Sequence, residues 1–276
     1  MEERIPMTNF ARQWAEQIRK QRSLRMRDDA PERVFQRDFI RNRPYGPDSS
    51  PQKVMGYLRP LFQEYKIESV LEFGPGRGNY TVEIANLCQE ITCVDLSQDV
   101  LDFILQVCCT HGVHNLRTHC AKWEDFAPDR TYDLVFGYNC FYRQADLPDC
   151  FRRMTHAANK LCIAGMNTAS KPRWMQELQA AGAKVEWDWK DYFYFVGVLY
   201  QMGIDPNLRV IPFNKVLKYS DVDALVRGEC AYCDPTTVDP RKAREILCRH
   251  FSYTPGGGWS AVLHCHSGIV WWTTQQ

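Results

Sequence analysis

The run Val70-Leu71-Glu72-Phe73-Gly74-Pro75-Gly76-Arg77-Gly78-Asn79 constrains this chain more than any other stretch. An apolar segment reaches an acidic residue and then glycine at 74, 76 and 78. Beyond it Val82, Ile84, Ala85 and Leu87 have helical spacing, with Asn79 as the expected N-cap. A strand, a glycine turn and a helix in this order bring backbone N–H groups close to a ligand, because glycine has no Cβ to hold it off. The spacing is G-x-G-x-G. A dinucleotide fingerprint reads G-x-G-x-x-G, and its third glycine would fall on Asn79. Glu72 also argues against a pyrophosphate, since a carboxylate repels phosphate and attracts ammonium. A ligand with an amino-acid end suits this turn better than a dinucleotide does.

The next apolar run, Ile91-Thr92-Cys93-Val94-Asp95-Leu96-Ser97, places an acid 21 residues beyond Gly74. In nucleoside-binding βαβ units an acid at about that distance receives the ribose hydroxyls. Three further segments follow: Cys120-Ala121-Lys122-Trp123-Glu124-Asp125-Phe126, Tyr132-Asp133-Leu134-Val135-Phe136-Gly137 and Lys160-Leu161-Cys162-Ile163-Ala164-Gly165-Met166.

Taken together, these motifs resemble the class I, Rossmann-like S-adenosylmethionine-dependent methyltransferases, over roughly residues 54–166 and more weakly to the C-terminus. The resemblance implies that Glu72, Gly74, Pro75, Gly76 and Gly78 hold the methionine end of S-adenosyl-L-methionine. It implies that Asp95, followed by Leu96, holds the ribose, and that Ala121, Lys122 and Trp123 lie along the adenine. Tyr138, at the end of the fourth strand, joins the cofactor set. The family often has an acid just before the alanine, and here that position is Cys120. Backbone groups, or Trp123 stacking on the ring, would have to compensate.

At 276 residues the chain can bury one large core plus a small appendage. A net charge of +1 gives no overall pull toward nucleic acid or an anionic membrane. No apolar run approaches a membrane span, and Met1-Glu2-Glu3-Arg4 lacks a signal-peptide pattern, so a cytoplasmic location is expected. The 12 cysteines are scattered; Cys93, Cys140 and Cys162 fall in or beside expected core strands, where a thiol acts as a small hydrophobe. Reduced, structural thiols are expected. Cys230-Ala231-Tyr232-Cys233 and His264-Cys265-His266 could supply metal ligands, but one C-x-x-C without a second pair at zinc spacing leads us to expect no metal.

The expected organisation is an N-terminal helical arm, residues 1–53, and a core, residues 54–276, with an insertion at about 184–207. Phe10, Trp14 and Ile18 share one helix face, and residues 1–45 carry 11 Lys/Arg against 7 Asp/Glu. That arm reads either as a solvated helix or, by the resemblance, as a lid over the cofactor mouth. No motif of a nucleic-acid module accompanies it. Pro44, Gly46, Pro47 and Pro51 mark a linker before a helix starting near Gln52.

Strands are expected near 69–73, 91–95, 116–120, 132–137 and 160–165. Helices are expected near 79–88, 98–111, 147–158 and 173–181. Such alternation gives an α/β fold, a mostly parallel sheet with helices on both faces and its ligand at the C-terminal strand ends. The resemblance supplies seven strands in the order 3-2-1-4-5-7-6. The aromatic cluster Trp187, Trp189, Tyr192, Phe193, Tyr194 and Phe195 leads into a helix at 190–203, read either as core packing or as the wall of an acceptor pocket. The sixth strand is expected at 208–219, with Lys184–Trp187 as the rival segment. Helices at 221–228 and 239–250 and a last strand from Trp259 to Trp272 complete the chain.

Methyl transfer from a sulfonium is an in-line displacement that depends on holding nucleophile, methyl and sulfur in line and excluding water. The loop Gly137-Tyr138-Asn139-Cys140-Phe141-Tyr142-Arg143 should face the acceptor. It has neither the Asn-Pro-Pro-aromatic pattern of nucleobase or glutamine enzymes nor the paired carboxylates of a catechol-type metal site. Tyr142 and Asn139 are therefore the candidate catalytic residues, with a small molecule as the acceptor; these aromatics equally suit packing beneath the loop. The rival functions are a nicotinamide-dependent oxidoreductase, which Asn79 and Glu72 disfavour, and a non-catalytic cofactor- or partner-binding protein.

Overall fold

The computed structural model describes residues 9–20, 24–43, 45–46, 49–187 and 191–274. The expectations that involved Met1–Arg4, Pro44, Pro47 and Trp189 lie outside these. Three helices come first: α1 (Phe10–Lys20), α2 (Asp29–Arg41) and α3 (Ser49–Glu64). Strands and helices then alternate: β1 (Ser69–Phe73), α4 (Thr81–Ala85), β2 (Glu90–Asp95), α5 (Gln98–Thr110), β3 (Leu116–Cys120), β4 (Tyr132–Tyr138), α6 (Leu147–Ala157), β5 (Ala158–Ala169) and α7 (Arg173–Ala180). The chain ends with α8 (Phe193–Gln201), β6 (Asn207–Tyr219), α9 (Val222–Cys230), α10 (Pro240–His250), β7 (Ser252–Thr254) and β8 (Gly258–Thr273).

The strand order is β3-β2-β1-β4-β5-β8-β6, with β7 paired antiparallel to β8. This is the expected order, with β8 in the seventh place because the short strand β7 adds one to the count. Strands β1 to β5 pair in parallel. The compact units differ from the expected partition: one comprises Met1–Asn167, Lys190–Ile211 and Ser267–Gln276, the other Thr168–Trp189 and Pro212–His266. The arm thus belongs to the first unit, as does α8, which the expectation placed in an insertion.

In the first unit, alternate strand residues enter different apolar clusters, because a strand turns successive side chains to opposite faces. Val70, Ile91, Leu134 and Leu161 join α3, α4 and α5 around Leu58, Ile84 and Leu101. Leu71, Val94, Val135 and Cys162 join α1, α6 and α8 around Trp14, Phe151 and Phe195. Both faces are apolar, so these strands read as continuous hydrophobic runs. Phe195 lies 4.6 Å from Phe141 and 5.7 Å from Trp14 between ring centroids and is core packing, whereas Phe193 is exposed.

The predicted cap at Asn79 is corrected. Helix α4 begins at Thr81, with Tyr80 in the cap position and no side-chain cap bond, and Asn79 Oδ1 is buried without a partner. The short helix follows from three successive left-handed glycines, which carry the turn two residues further than the apolar spacing suggests.

The second unit has its own core, with Trp174 and Leu178 of α7, Leu225 of α9, Leu247 of α10 and Leu263 of β8. The buried Glu229 accepts from Trp174 Nε1 at 2.8 Å and from the Tyr219 hydroxyl. Val185 forms only an isolated bridge with Cys233, so Lys184–Trp187 is not the sixth strand. The two motif cysteines close a turn, Cys233 N–H donating to the Cys230 carbonyl at 2.9 Å. Cys265 points into the core while His264 is exposed beside Asn214, on the opposite face of β8. All 12 cysteines are free thiols. No helix among the described residues is long and apolar enough to cross a membrane.

Candidate functional site

Strand β2 delivers Asp95 to a pocket of about 210 Å³ in the first unit. Phe73 and Gly74 line it from the end of β1, Leu96 from the end of β2, and Ala121 to Glu124 from the segment after β3. Two backbone bonds tie these pieces together: Gly74 N–H donates to the Val94 carbonyl at 2.9 Å and Ala121 N–H to the Asp95 carbonyl at 3.0 Å. Asp95 Oδ1 accepts from Ser97 N–H at 2.8 Å. Burial pushes its carboxyl up to about 6, the Ser97 N–H pulling against that and the nearby Glu32 adding to it. Such a group gains from a ligand that donates hydrogen bonds.

Gly74 and Gly76 adopt φ of 63° and 56°, a region that disfavours any residue with a Cβ. At Gly74 a Cβ would collide with the Cys140 side chain; at Gly76 it would meet no protein atom within 4 Å. The turn therefore leaves open space above its middle glycine.

Helix α2, part of the N-terminal arm, supplies a wall of the pocket, although none of its residues was among the expected site residues. Asp28 caps it by accepting from Ala30 N–H, and Asp29, Glu32 and Gln36 line the pocket. Asp29 pairs with Lys122 at 2.5 Å and with Arg143 at 2.6 Å. Burial opposes the charge on Asp29, but the bonds from Lys122 and Arg143 outweigh it and hold the carboxyl below its ordinary value. Glu32 is fully buried. Its Oε1 accepts from the Tyr142 hydroxyl at 2.5 Å and from Gln36 Nε2 at 2.7 Å, and Arg25 stands 3.3 Å from Oε2. Arg33 Nε donates to the Leu96 carbonyl at 3.1 Å.

A family model described as "Methyltransferase domain" matches residues 70–160. The fold is similar to that of the YcgJ protein from Bacillus subtilis, with a TM-score of 0.53 and 12% identity over 79% of this chain and 97% of that one. A Bacillus halodurans structure described under the name methyltransferase gives a TM-score of 0.50 and 14% identity over 79% of this chain and 99% of that one. Residues 70–160 match that methyltransferase model, and the fold is the one these structures share. An uncharacterised Haemophilus influenzae protein is 26% identical over 164 residues, or 58% of this chain. The chain spans about 60% of the length of that relative.

Within the matched region and the loop segments beside it, the structure sorts the expected residues. It brings Gly74, Asp95, Leu96, Ala121, Lys122, Trp123 and Tyr142 to one pocket. Trp123 is buried with one face stacked on Phe73 at 4.3 Å, so that face is closed to a ligand. Pro75, Gly76 and Gly78 belong to the turn but do not line this pocket.

Three further expected residues lie outside this pocket. Glu72 is 2% exposed and lies beneath the turn, with Cys93 Sγ donating to Oε2 at 3.5 Å. Burial pushes its carboxyl up to about 7, against the Thr81 hydroxyl and Cys93 thiol. Tyr138 is buried outside the pocket; its hydroxyl donates to Asn167 Oδ1 at 3.0 Å. Asn139 has φ of 55° and its Oδ1 accepts from Asn167 N–H at 2.7 Å, so this side chain fastens the end of β4 to that of β5. The residues that sequence reasoning missed are Asp29, Glu32 and Gln36. Their signal was the start of α2, an Asp28 cap followed by Asp29, Pro31 and Glu32 in the first turn.

Proposed function

We propose that this chain is an S-adenosylmethionine-dependent methyltransferase that acts on a small-molecule acceptor. The observation that carries the reading is Asp95, a half-buried acid at the end of β2, facing one pocket with Leu96 and the Ala121–Trp123 segment. Its vacant hydrogen-bonding capacity suits ribose hydroxyls, and the open space above Gly76 suits a methionine chain. At about 210 Å³ the pocket is smaller than the roughly 300–1,000 Å³ that takes a whole drug-sized ligand, and so fits the nucleoside part. Four carboxylates line it, Asp29, Glu32, Asp95 and Glu124, beside three cations, Arg27, Lys122 and Arg143, of which Lys122 and Arg143 are paired with Asp29.

When bound, the cofactor supplies an electrophilic methyl on sulfur. The residues of this chain bind, orient and exclude water. Asp95 takes the ribose, Leu96 and Ala121 flank the base, and the glycine turn takes the amino-acid end. Tyr142, fixed by Glu32, is the polar contact offered to the acceptor. Calorimetry with S-adenosylmethionine, S-adenosylhomocysteine and NAD tests the reading. Binding of the first two and none of NAD is expected; tight NAD binding with no affinity for S-adenosylhomocysteine would replace the methyltransferase by an oxidoreductase.

A further inference from the structure

Two carboxylates from distant parts of the chain face the same nucleoside-sized pocket, Asp95 from β2 and Glu32 from α2. Like charges at one cavity repel unless donors or a cation stand between them. Each is only partly compensated in the protein. Asp95 has the backbone N–H groups of Ser97 and Leu96 and the more distant charge of Arg143, while Glu32 Oε1 has Tyr142 and Gln36, and Oε2 has Arg25 at 3.3 Å. Helix α2 is also joined to three of the segments that surround the pocket: Arg33 reaches the carbonyl of Leu96, next to Asp95, and Asp29 reaches Lys122 and Arg143. Glu32 is therefore held at a set depth in the pocket.

We propose that Glu32 is a second nucleoside-binding carboxylate, which with Asp95 clamps the vicinal diol of the cofactor ribose. The inference rests on the function proposed above and deepens it. A diol presents two adjacent O–H donors, the complement of two carboxylates that otherwise repel. Binding of the nucleoside and docking of α2 then form one event, because the diol joins β2 to the arm. The electrostatic influence of Glu32 on Asp95 is consistent with that proximity.

The test pairs a protein change with a ligand change. S-adenosylhomocysteine and its analogue lacking both ribose hydroxyls are titrated into wild type and Glu32→Gln. Loss of a charge-assisted hydrogen bond predicts that Glu32→Gln binds S-adenosylhomocysteine about tenfold more weakly. The same substitution should scarcely alter binding of the dideoxy analogue. Equal weakening of both ligands would overturn the clamp and leave Glu32 as a prop of the arm. Wild type that does not bind S-adenosylhomocysteine at all would instead overturn the function on which the clamp rests. If Glu32→Gln does not fold, hydrogen exchange in the wild type decides. S-adenosylhomocysteine should slow exchange across residues 29–41 more than the dideoxy analogue at equal saturation, and equal slowing would overturn the clamp.

Discussion

Glu72 and Asp95 carry the same sequence signal, an acid closing an apolar run, yet they sit in different environments. Glu72 pairs with Cys93 on one side and Phe136 on the other, so it lies within the sheet. The pairing of β1 with β2 stops at Phe73 and Val94, and Asp95 is one residue past it, paired only with Cys120 of β3. Two steps along the paired strands separate a carboxylate sealed within the sheet from one that opens on a pocket. Strand depth, which no composition or spacing encodes, assigns the two acids different work.

The largest effect should come from the turn that separates them. Gly76→Val places a β-branched residue at φ of 56°, in space that the protein leaves empty and the cofactor would fill. Binding of S-adenosylhomocysteine should weaken roughly 100-fold or more, about 2.8 kcal/mol. Circular dichroism first confirms folding; a folded variant that binds like wild type would show that the amino-acid end does not cross this turn.

Asp95→Ala comes next. Loss of a hydrogen bond to a charged group costs about 1.5–3 kcal/mol, or about 10- to 150-fold in affinity. Calorimetry on the folded variant measures it directly, and an unchanged affinity would remove the ribose assignment.

The contrast between the acids also shows which parts of the molecule could be read in the sequence. Strands β1, β2, β4 and β5 were legible because both their faces are buried, which leaves apolar runs; β3, at the sheet edge, is polar and was placed by its position in the alternation. The pocket residues after β2 and β3 were legible because chain direction alone brings strand ends together. Helix α2 was not. The face it packs is built from Asp29, Glu32, Arg33 and Gln36, and of its residues only Glu32 and Ile40 are buried. A helix docked through ion pairs has no apolar stripe, so periodicity passes over it. The setting of Asn139 was hidden for a related reason: its positive φ and its bond to Asn167 N–H depend on the end of β5, 28 residues away.

Proton linkage sharpens the comparison. The carboxyl of Asp95 titrates near 6, above its ordinary 3.8. If ribose binds the ionised form, affinity for S-adenosylhomocysteine should rise by about tenfold between pH 5 and 7 and level off above. Asp95→Asn should flatten that profile. A slope that persists in Asp95→Asn would move the titrating group elsewhere in the site.

Glu72 should give the smallest effect on binding and a clear one on stability. With its carboxyl at about 7 in the fold against 4.5 ordinarily, the folded state holds a proton that the unfolded state has released. Stability is then greatest at low pH and falls as pH rises through about 4.5 to 7, by on the order of 3 kcal/mol in all. Glu72→Gln keeps the shape and cannot ionise, so its melting temperature should match wild type near pH 4 and exceed it at pH 8. Its affinity for S-adenosylhomocysteine should stay within roughly threefold of wild type, less than the effect of one charged hydrogen bond. An affinity loss as large as that of Asp95→Ala would mean that Glu72 reaches the ligand through the turn, and the two acids would then share one task.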